Sequence, residues 1–448
     1  MFILPKDYYR KNLKLAIPIM LSLVCQSLAQ VADTLMVGRL SAVSLAAVSF
    51  STAITSVALV MGIGLAIAIT PLISKAFAKT QENKIVNFLT NGLYVNIILS
   101  LILIALLFTL LPLFPYFGQS KDVILAARPY YIIVVISLFP NQIFLCLKQF
   151  LEGLMNTKAA MVIVISSNIL NIILNFIFIY GYCGFPAMGV TGAALATFIS
   201  RLLSPIALFL YIRYKQNYWK YVRLIKIRNL RKLVIKSIMR IGIPICGQMT
   251  IECFAFGALT FFFGWVSVID MAAYQIVMTM VTLTFHCCIG FANATTILTS
   301  FYVGRDEWYE VRRYSKTGFH LAVAFMFCSM LCFIFAGKYI ASLFSADESV
   351  ILIASKLFIV AGIFQILDGS QGTLLGALRG LQSVTRPMYY ACFSYLCVSL
   401  PAAYLLCFGF SLPSWTILAG FAFGMLVVTL LYYGQLTKIL RLNVNNSL

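Results

Sequence analysis

The sequence predicts an all-α polytopic membrane protein: twelve transmembrane helices in two pseudo-symmetric six-helix bundles, a parallel repeat around a central cavity. Three observations predict it. Of the 448 residues, 62% are hydrophobic and only 10% charged, more apolar surface than a water-soluble chain of this size can cover. The apolar residues gather into twelve runs, each long enough for the roughly 20 helical residues that cross a hydrocarbon core of ~30 Å. The second half of the chain also repeats the first. Because the runs are continuous rather than alternating, a closed β-barrel is excluded.

The first run, 15–37, follows Lys6, Arg10, Lys11 and Lys14, which is the charge order of a signal peptide. No small-residue cleavage site follows and more runs come directly after, so it reads as an uncleaved first helix. Runs at 43–74, 86–115, 124–149, 158–181 and 190–213 complete the first half. The longest polar stretch, 214–237, then divides the chain. It reads as a basic cytoplasmic linker, either a plain tether or an amphipathic helix on anionic lipid. Runs at 238–264, 272–301, 316–343, 350–377, 388–410 and 414–436 follow. The expected organisation is a lobe at 1–213, the linker at 214–237 and a second lobe at 238–448.

The net charge of +20 would suggest nucleic acid in a soluble protein, but here the basic residues sit in short connections and no basic groove with stacking aromatics is visible. Lys75, Lys79, Lys84, Lys148, Lys158, Arg305, Arg312, Arg313, Lys316, Arg379, Arg386, Lys438 and Arg441 fall on the side of the N-terminus and linker. Arg39, Lys121, Arg128, Lys338 and Lys356 fall on the other. The positive-inside rule makes the first side cytoplasmic and places both termini there, in a cell inner (plasma) membrane. Of the 12 cysteines, only Cys183 is in a predicted loop. The others lie in apolar runs without metal-ligand spacing and read as small hydrophobes.

A shift of 226 positions superposes "LAIPIM" on "IGIPIC" and pairs Pro18 with Pro244, Gly38 with Gly264, Ser41 with Ser267 and Thr70 with Thr296. A shift of 227 pairs "LEGLMNTKAAM" (151–161) with "LRGLQSVTRPM" (378–388). Six spans per half is an even number, so both halves enter the membrane in the same sense. That is the repeat design of transporters that rock one lobe against the other.

Three carboxylates lie inside predicted spans: Asp33 in "SLAQVADTLMVG", Glu252 in "CGQMTIECFAFG" and Asp368 in "GIFQILDGSQG". Each costs roughly 2.5–3.5 kcal/mol on insertion scales, which marks them as functional candidates, with polar glue between helices as the alternative. In the repeat Glu252 pairs with Gln26 and Asp368 with Asn141, so one lobe carries amides where the other carries acids. Two such acids can share a proton or hold a monovalent cation such as transient Na⁺. Phe256, one turn beyond Glu252, can present a ring face to a cation or simply pack. Asn168, Asn171 and Asn175 share one helix face and read as a hydrated cavity wall or as interhelical hydrogen bonds. Lys148 and Glu152, four apart, predict an ion pair, Arg201 lies mid-span and needs a partner, and His286 and His320 read as polar packing. No catalytic constellation, structural metal cluster or cofactor motif appears, which argues for a transporter rather than an enzyme.

The segments "VADTLMVGRLSAVSLAAVS" (31–49), "NIILNFIFIYGYCGFPAMGVTGAALAT" (171–197), "MAAYQI", "ECFAFG" and "LDGSQGTLLGALRGL" (367–381) resemble the multidrug and toxic compound extrusion (MATE) family, in particular its NorM branch, over nearly the whole chain. The resemblance implies a V-shaped antiporter that exports cationic amphipathic compounds in exchange for Na⁺ or H⁺. It implies cation-coupling roles for Asp33, Glu252 and Asp368, and substrate or cavity contacts for Asn171, Asn175 and Phe256. Tyr274 is a departure, since many relatives carry His there. The expected partners are cationic drug-like molecules and membrane lipid, acting on a monomer without cofactor. The other reading of the scaffold is a flippase for a lipid-linked oligosaccharide, which would favour a strongly cationic cavity, whereas Arg201 is the one basic residue deep in a span.

Overall fold

In a computed structural model of the chain, residues 4–226 and 229–445 are described; positions 227–228 of the expected linker and the extreme termini lie outside the described residues. Lipid offers no hydrogen bonds to a backbone, so each apolar run must close its own ladder, and each forms a helix. Among the described residues, twelve helices are long and apolar enough to span a membrane: α1 (Lys6–Gly38), α2 (Ala42–Ala78), α3 (Glu82–Phe117), α4 (Lys121–Gly153), α5 (Thr157–Tyr180), α6 (Gly189–Tyr214), α7 (Lys232–Val266), α8 (Val268–Gly304), α9 (Trp308–Phe344), α10 (Glu348–Gly380), α11 (Thr385–Gly409) and α12 (Trp415–Val444). Each matches one expected run to within one residue at the ends that overshoot. The protein is therefore a multi-pass membrane protein of the predicted class.

Irregularities in the helices have local causes. A proline ring clashes with the carbonyl four residues earlier, so Pro140 breaks α4 between Ile136 and Leu138. Pro112 and Pro115 tighten the end of α3 into a 3₁₀ turn over Leu111–Phe117. In α11 the ladder widens to π-helix over Phe393–Ser399, just ahead of Pro401.

The repeat is visible in the backbone. Ser41 accepts from Ser44 N at the start of α2, and Ser267 accepts from Asp270 N at the matching start of α8. Among the described residues, six other than glycine have positive φ, and they pair off at shifts of 226, 227 and 228: Thr80 with Asp306, Met155 with Gln382, and Cys183 with Ser411. Thr70 Oγ1 donates to Gln149 O at 3.2 Å, and its counterpart Thr296 Oγ1 donates to Gly376 O at 2.8 Å.

By packing, the chain forms two compact units, Leu21–Cys246 and Met1–Met20 with Gly247–Leu448. The expected lobes at 1–213 and 238–448 divide the chain by sequence, whereas the packing boundary runs through α1 and α7 at repeat-matched positions. The physical reason is in the side chains. Near the start of α1, Tyr8 Oη donates to Glu310 Oε1 at 2.8 Å, Lys11 Nζ donates to Tyr302 Oη at 2.6 Å, and Tyr9 Oη lies 2.9 Å from His320 Nδ1. His320, read from the sequence as polar packing, thus has Tyr9 as a partner. In the first unit, Cys246 Sγ of α7 donates to Met61 O at 3.1 Å.

The linker contains a short helix, Gln216–Val222, which is tied to the first unit by an ion pair between Lys220 and Glu82. Asn91 Oδ1 accepts from Arg231 N at 2.9 Å and Asn91 Nδ2 donates to Asn229 O at 3.1 Å. The expected Lys148–Glu152 ion pair forms at 3.8 Å.

Candidate functional site

In the second unit, α7, α10, α11 and α12 converge on a buried polar cluster. Gln248 and Glu252 lie one turn apart on α7, and Asp368 and Gln371 one turn apart on α10, so each pair shares a helix face. Small residues let α10 approach α8 closely: a Cβ at Gly376 would meet Ala292 O at 2.3 Å. Asp368 lies about two turns earlier on α10 and is 2% exposed.

Gln371 Nε2 donates to Glu252 Oε1 at 3.0 Å and to Tyr395 Oη at 2.6 Å, and Tyr395 Oη donates to the same Glu252 oxygen at 3.2 Å. Gln248 Nε2 approaches Glu252 Oε2 at 3.5 Å. Asp368 Oδ1, Gln371 Oε1 and Ser394 Oγ are buried without hydrogen-bond partners among the described residues. An orphaned buried carboxylate oxygen is costly, and it asks for a proton or a cation. The available donors are all hard oxygen, the chemistry that suits H⁺ or an alkali cation. No group of three or more His, Cys, Asp or Glu that could hold a metal ion occurs among the described residues.

In the first unit, α1 supplies Asp33, α5 supplies Asn171 and Asn175, and α6 supplies Thr197 and Arg201. Asn175 Nδ2 donates to Asp33 Oδ1 in a short bond. With its amide set by the surrounding hydrogen bonds, Asn171 donates to Asp33 Oδ1 at 3.0 Å and accepts from Thr197 N at 3.3 Å. Arg201 Nη1 donates to Ser137 Oγ at 2.8 Å, at the break that Pro140 makes in α4. Arg201 also interacts electrostatically with Asp33 and Tyr130. These are the partners that sequence analysis left unnamed.

The structure thus assembles Asp33, Asn171 and Asn175 in one unit and Glu252 and Asp368 in the other. Phe256 is half-buried and packs its ring against Phe364 at 6.2 Å and Phe421 at 5.0 Å between centroids. Tyr274, the departure from the family motif, stacks on Phe263 at 4.3 Å inside the same aromatic core. Sequence reasoning missed Gln248, Gln371, Tyr395 and Ser137. The two glutamines carried a faint signal, as amides one turn from a buried acid, whereas Tyr395 looked like any packing aromatic in an apolar run.

The MatE family model matches residues 18–177 and 244–405, one copy in each half of the chain. A "Probable multidrug resistance protein NorM" of Rhizobium meliloti (strain 1021) is 26% identical over 97% of this chain and 94% of its own length. One of Oceanobacillus iheyensis (strain DSM 14371) is 28% identical over 98% and 97%. Among solved structures, an outward-facing multidrug resistance MATE family transporter of the MOP superfamily superposes with a TM-score of 0.89 at 19% identity, covering 97% and 96% of the two chains. A MOP superfamily transporter from Pyrococcus furiosus, whose binding pocket is described as having reverse polarity, superposes with a TM-score of 0.88 at 20% identity, over the same shares.

Proposed function

Because the chain belongs to the MatE family and is a multi-pass membrane transporter, we propose that it is a multidrug antiporter coupled to Na⁺ or H⁺, exporting cationic amphipathic compounds by alternating access. The observation that carries this reading is the acid pair of partly buried Glu252 and buried Asp368, with Asp368 Oδ1 unpartnered among the described residues beside Gln371 and Tyr395. A carboxylate kept in that state has a standing demand for a cation.

In the proposed cycle the ionised pair takes up the incoming cation, and this shifts the equilibrium between two states that differ in drug affinity. Linkage then requires that the drug weaken cation binding by the same factor. Asp33 is a third coupling candidate, in the first unit. Asn171, Asn175 and Phe256 are the proposed substrate contacts. The distribution of Lys and Arg supports an inner (plasma) membrane location with both termini cytoplasmic. In this reading the protein acts as a monomer without cofactor. The names of the NorM relatives favour multidrug export over a flippase. Arg201, already engaged by Ser137 and Asp33, offers no free deep cation for a pyrophosphate.

The test is dye efflux from proteoliposomes under imposed Na⁺ or H⁺ gradients. At least one gradient should drive ethidium-like dyes outward. Equal efflux with and without both gradients would sink the proposal.

A further inference from the structure

Arg379 is a partly buried charge for which the proposed coupling cycle has no use. It stands in the last turn of α10, about three turns beyond Asp368, where sequence analysis counted it with the basic connections. In the structure it joins the site instead. Its Nη2 donates to Gln248 Oε1 at 3.0 Å, and the same amide approaches Glu252 Oε2 through Nε2 at 3.5 Å. Its Nε is buried without a hydrogen-bond partner among the described residues. Because Arg379 occupies the amide oxygen of Gln248, the amide nitrogen must point at Glu252.

The repeat shows that this arrangement was acquired in one half only. Arg379 pairs with Glu152, which in the first half forms its ion pair with Lys148. Gln26 and Asn141 stand where Glu252 and Asp368 do. Both acids and the arginine are thus confined to the second half. The titratable and charged side chains that act on the acid pair from the elements packed around it are Arg379 of α10, Tyr395 of α11, Tyr432 of α12 and Cys288 of α8. Of these only Arg379 carries a permanent charge, since a guanidinium does not lose its proton in a protein. Two carboxylates and one guanidinium leave a formal charge of minus one.

Resting on the cation-coupled reading of Glu252 and Asp368, we propose that Arg379 is a positioning residue that acts through Gln248 as the built-in counter-cation of this pair, so that the unit holds one monovalent cation at a time. Gln248 and Arg379 satisfy the Glu252 side of the pair, and Asp368 Oδ1 is the open ligand. A second cation would leave the site with a net positive charge among buried groups.

The experiment measures stabilisation of the purified full-length protein by NaCl against choline chloride at constant ionic strength, repeated across a pH series, alongside dye efflux in proteoliposomes. Wild type should saturate with a Hill coefficient near 1. Arg379→Gln should bind Na⁺ or H⁺ about tenfold more tightly, as expected when a nearby positive charge is removed, with a steeper Hill slope and slower efflux. Arg379→Lys keeps the charge and should stay close to wild type, which a purely packing role of the guanidinium would not allow. Adding Asp368→Asn to Arg379→Gln restores the formal charge and should bring affinity back toward wild type. Unchanged or weakened cation affinity in Arg379→Gln, with wild type responding normally, overturns the proposal and leaves the coupling reading intact. If Arg379→Gln does not fold, Gln248→Leu decides: cutting the relay should tighten cation binding, and an unchanged affinity overturns the proposal. A wild type that answers to neither Na⁺ nor H⁺ refutes the coupling reading itself, and this inference with it.

Discussion

Asp368 is buried and Asp33 partly buried, and their surroundings predict opposite responses to neutralisation. Asp368→Asn removes a carboxylate whose Oδ1 has no partner, and Glu252→Gln keeps an oxygen that can still accept from Gln371 and Tyr395. Both variants should insert normally, with thermal stability unchanged or raised by up to about 1–3 kcal/mol, the size of an unmade hydrogen bond. Gradient-driven efflux should nonetheless fall at least about tenfold, because an amide neither exchanges a proton nor offers full charge to Na⁺. Wild-type efflux in both variants would refute the cation site. Asp33→Asn is different, because it removes the carboxylate that acts on Arg201 and leaves Ser137 as its hydrogen-bond partner. Losing such an interaction between partly buried charges costs about 1 kcal/mol, between the values for exposed and buried pairs, so its melting temperature should drop modestly, and Arg201→Met in the same chain should recover most of the loss. If Asp33→Asn alone is as stable as wild type, Arg201 does not depend on Asp33.

Among the helices, α10, which carries Asp368, makes a close approach to α8. A methyl group at Gly376 would stand 2.3 Å from the Ala292 carbonyl oxygen, whereas at Gly372, one turn earlier, it would meet nothing within 4 Å. Gly376→Ala should therefore push the helices apart and cost about 1–3 kcal/mol, as overpacking does, with loss of cation response. Gly372→Ala should be silent in both stability and efflux. Similar melting temperatures for the two variants would show that this close approach is not what seats the acid. The sequence made the helices themselves legible, because the length and apolarity of a run are local properties and lipid permits no other spanning structure for it. It showed the small residues of "DGSQGTLLGALRG" too, but not which of them meets a backbone, since that depends on the register of a second helix.

For the whole molecule, the orientation rests on charge bias and the proposed membrane location. A cysteine placed at Lys226 should react with membrane-impermeant thiol reagents only from the cytoplasmic side. One placed at Phe185, in the loop between α5 and α6 and half-exposed, should react only from outside. External labelling at Lys226 would invert the topology and remove the positive-inside argument. The two compact units add a lesson about boundaries. Repeat alignment divides the chain at the linker, because sequence similarity follows the chain. Packing divides it within α1 and α7, because Tyr8, Tyr9 and Lys11 find their partners on α8 and α9.

The sequence by itself determined the twelve spans, the two-fold repeat and the acids inside the spans, which follow from composition, run length and matched positions along one chain, and its motifs resembled the family to which the chain belongs. It also announced that Arg201 needed a partner. Only the tertiary structure decided what those groups face. Asn171 and Asn175 turn to Asp33, Arg201 to Ser137 at a proline break, and Gln371 and Tyr395 to Glu252. Arg379 moved from the list of basic connections into the site for the same reason. The cost of a buried charge can be read from its depth in a span, but the groups that offset it come from other helices, and no one-dimensional pattern records which helix faces which.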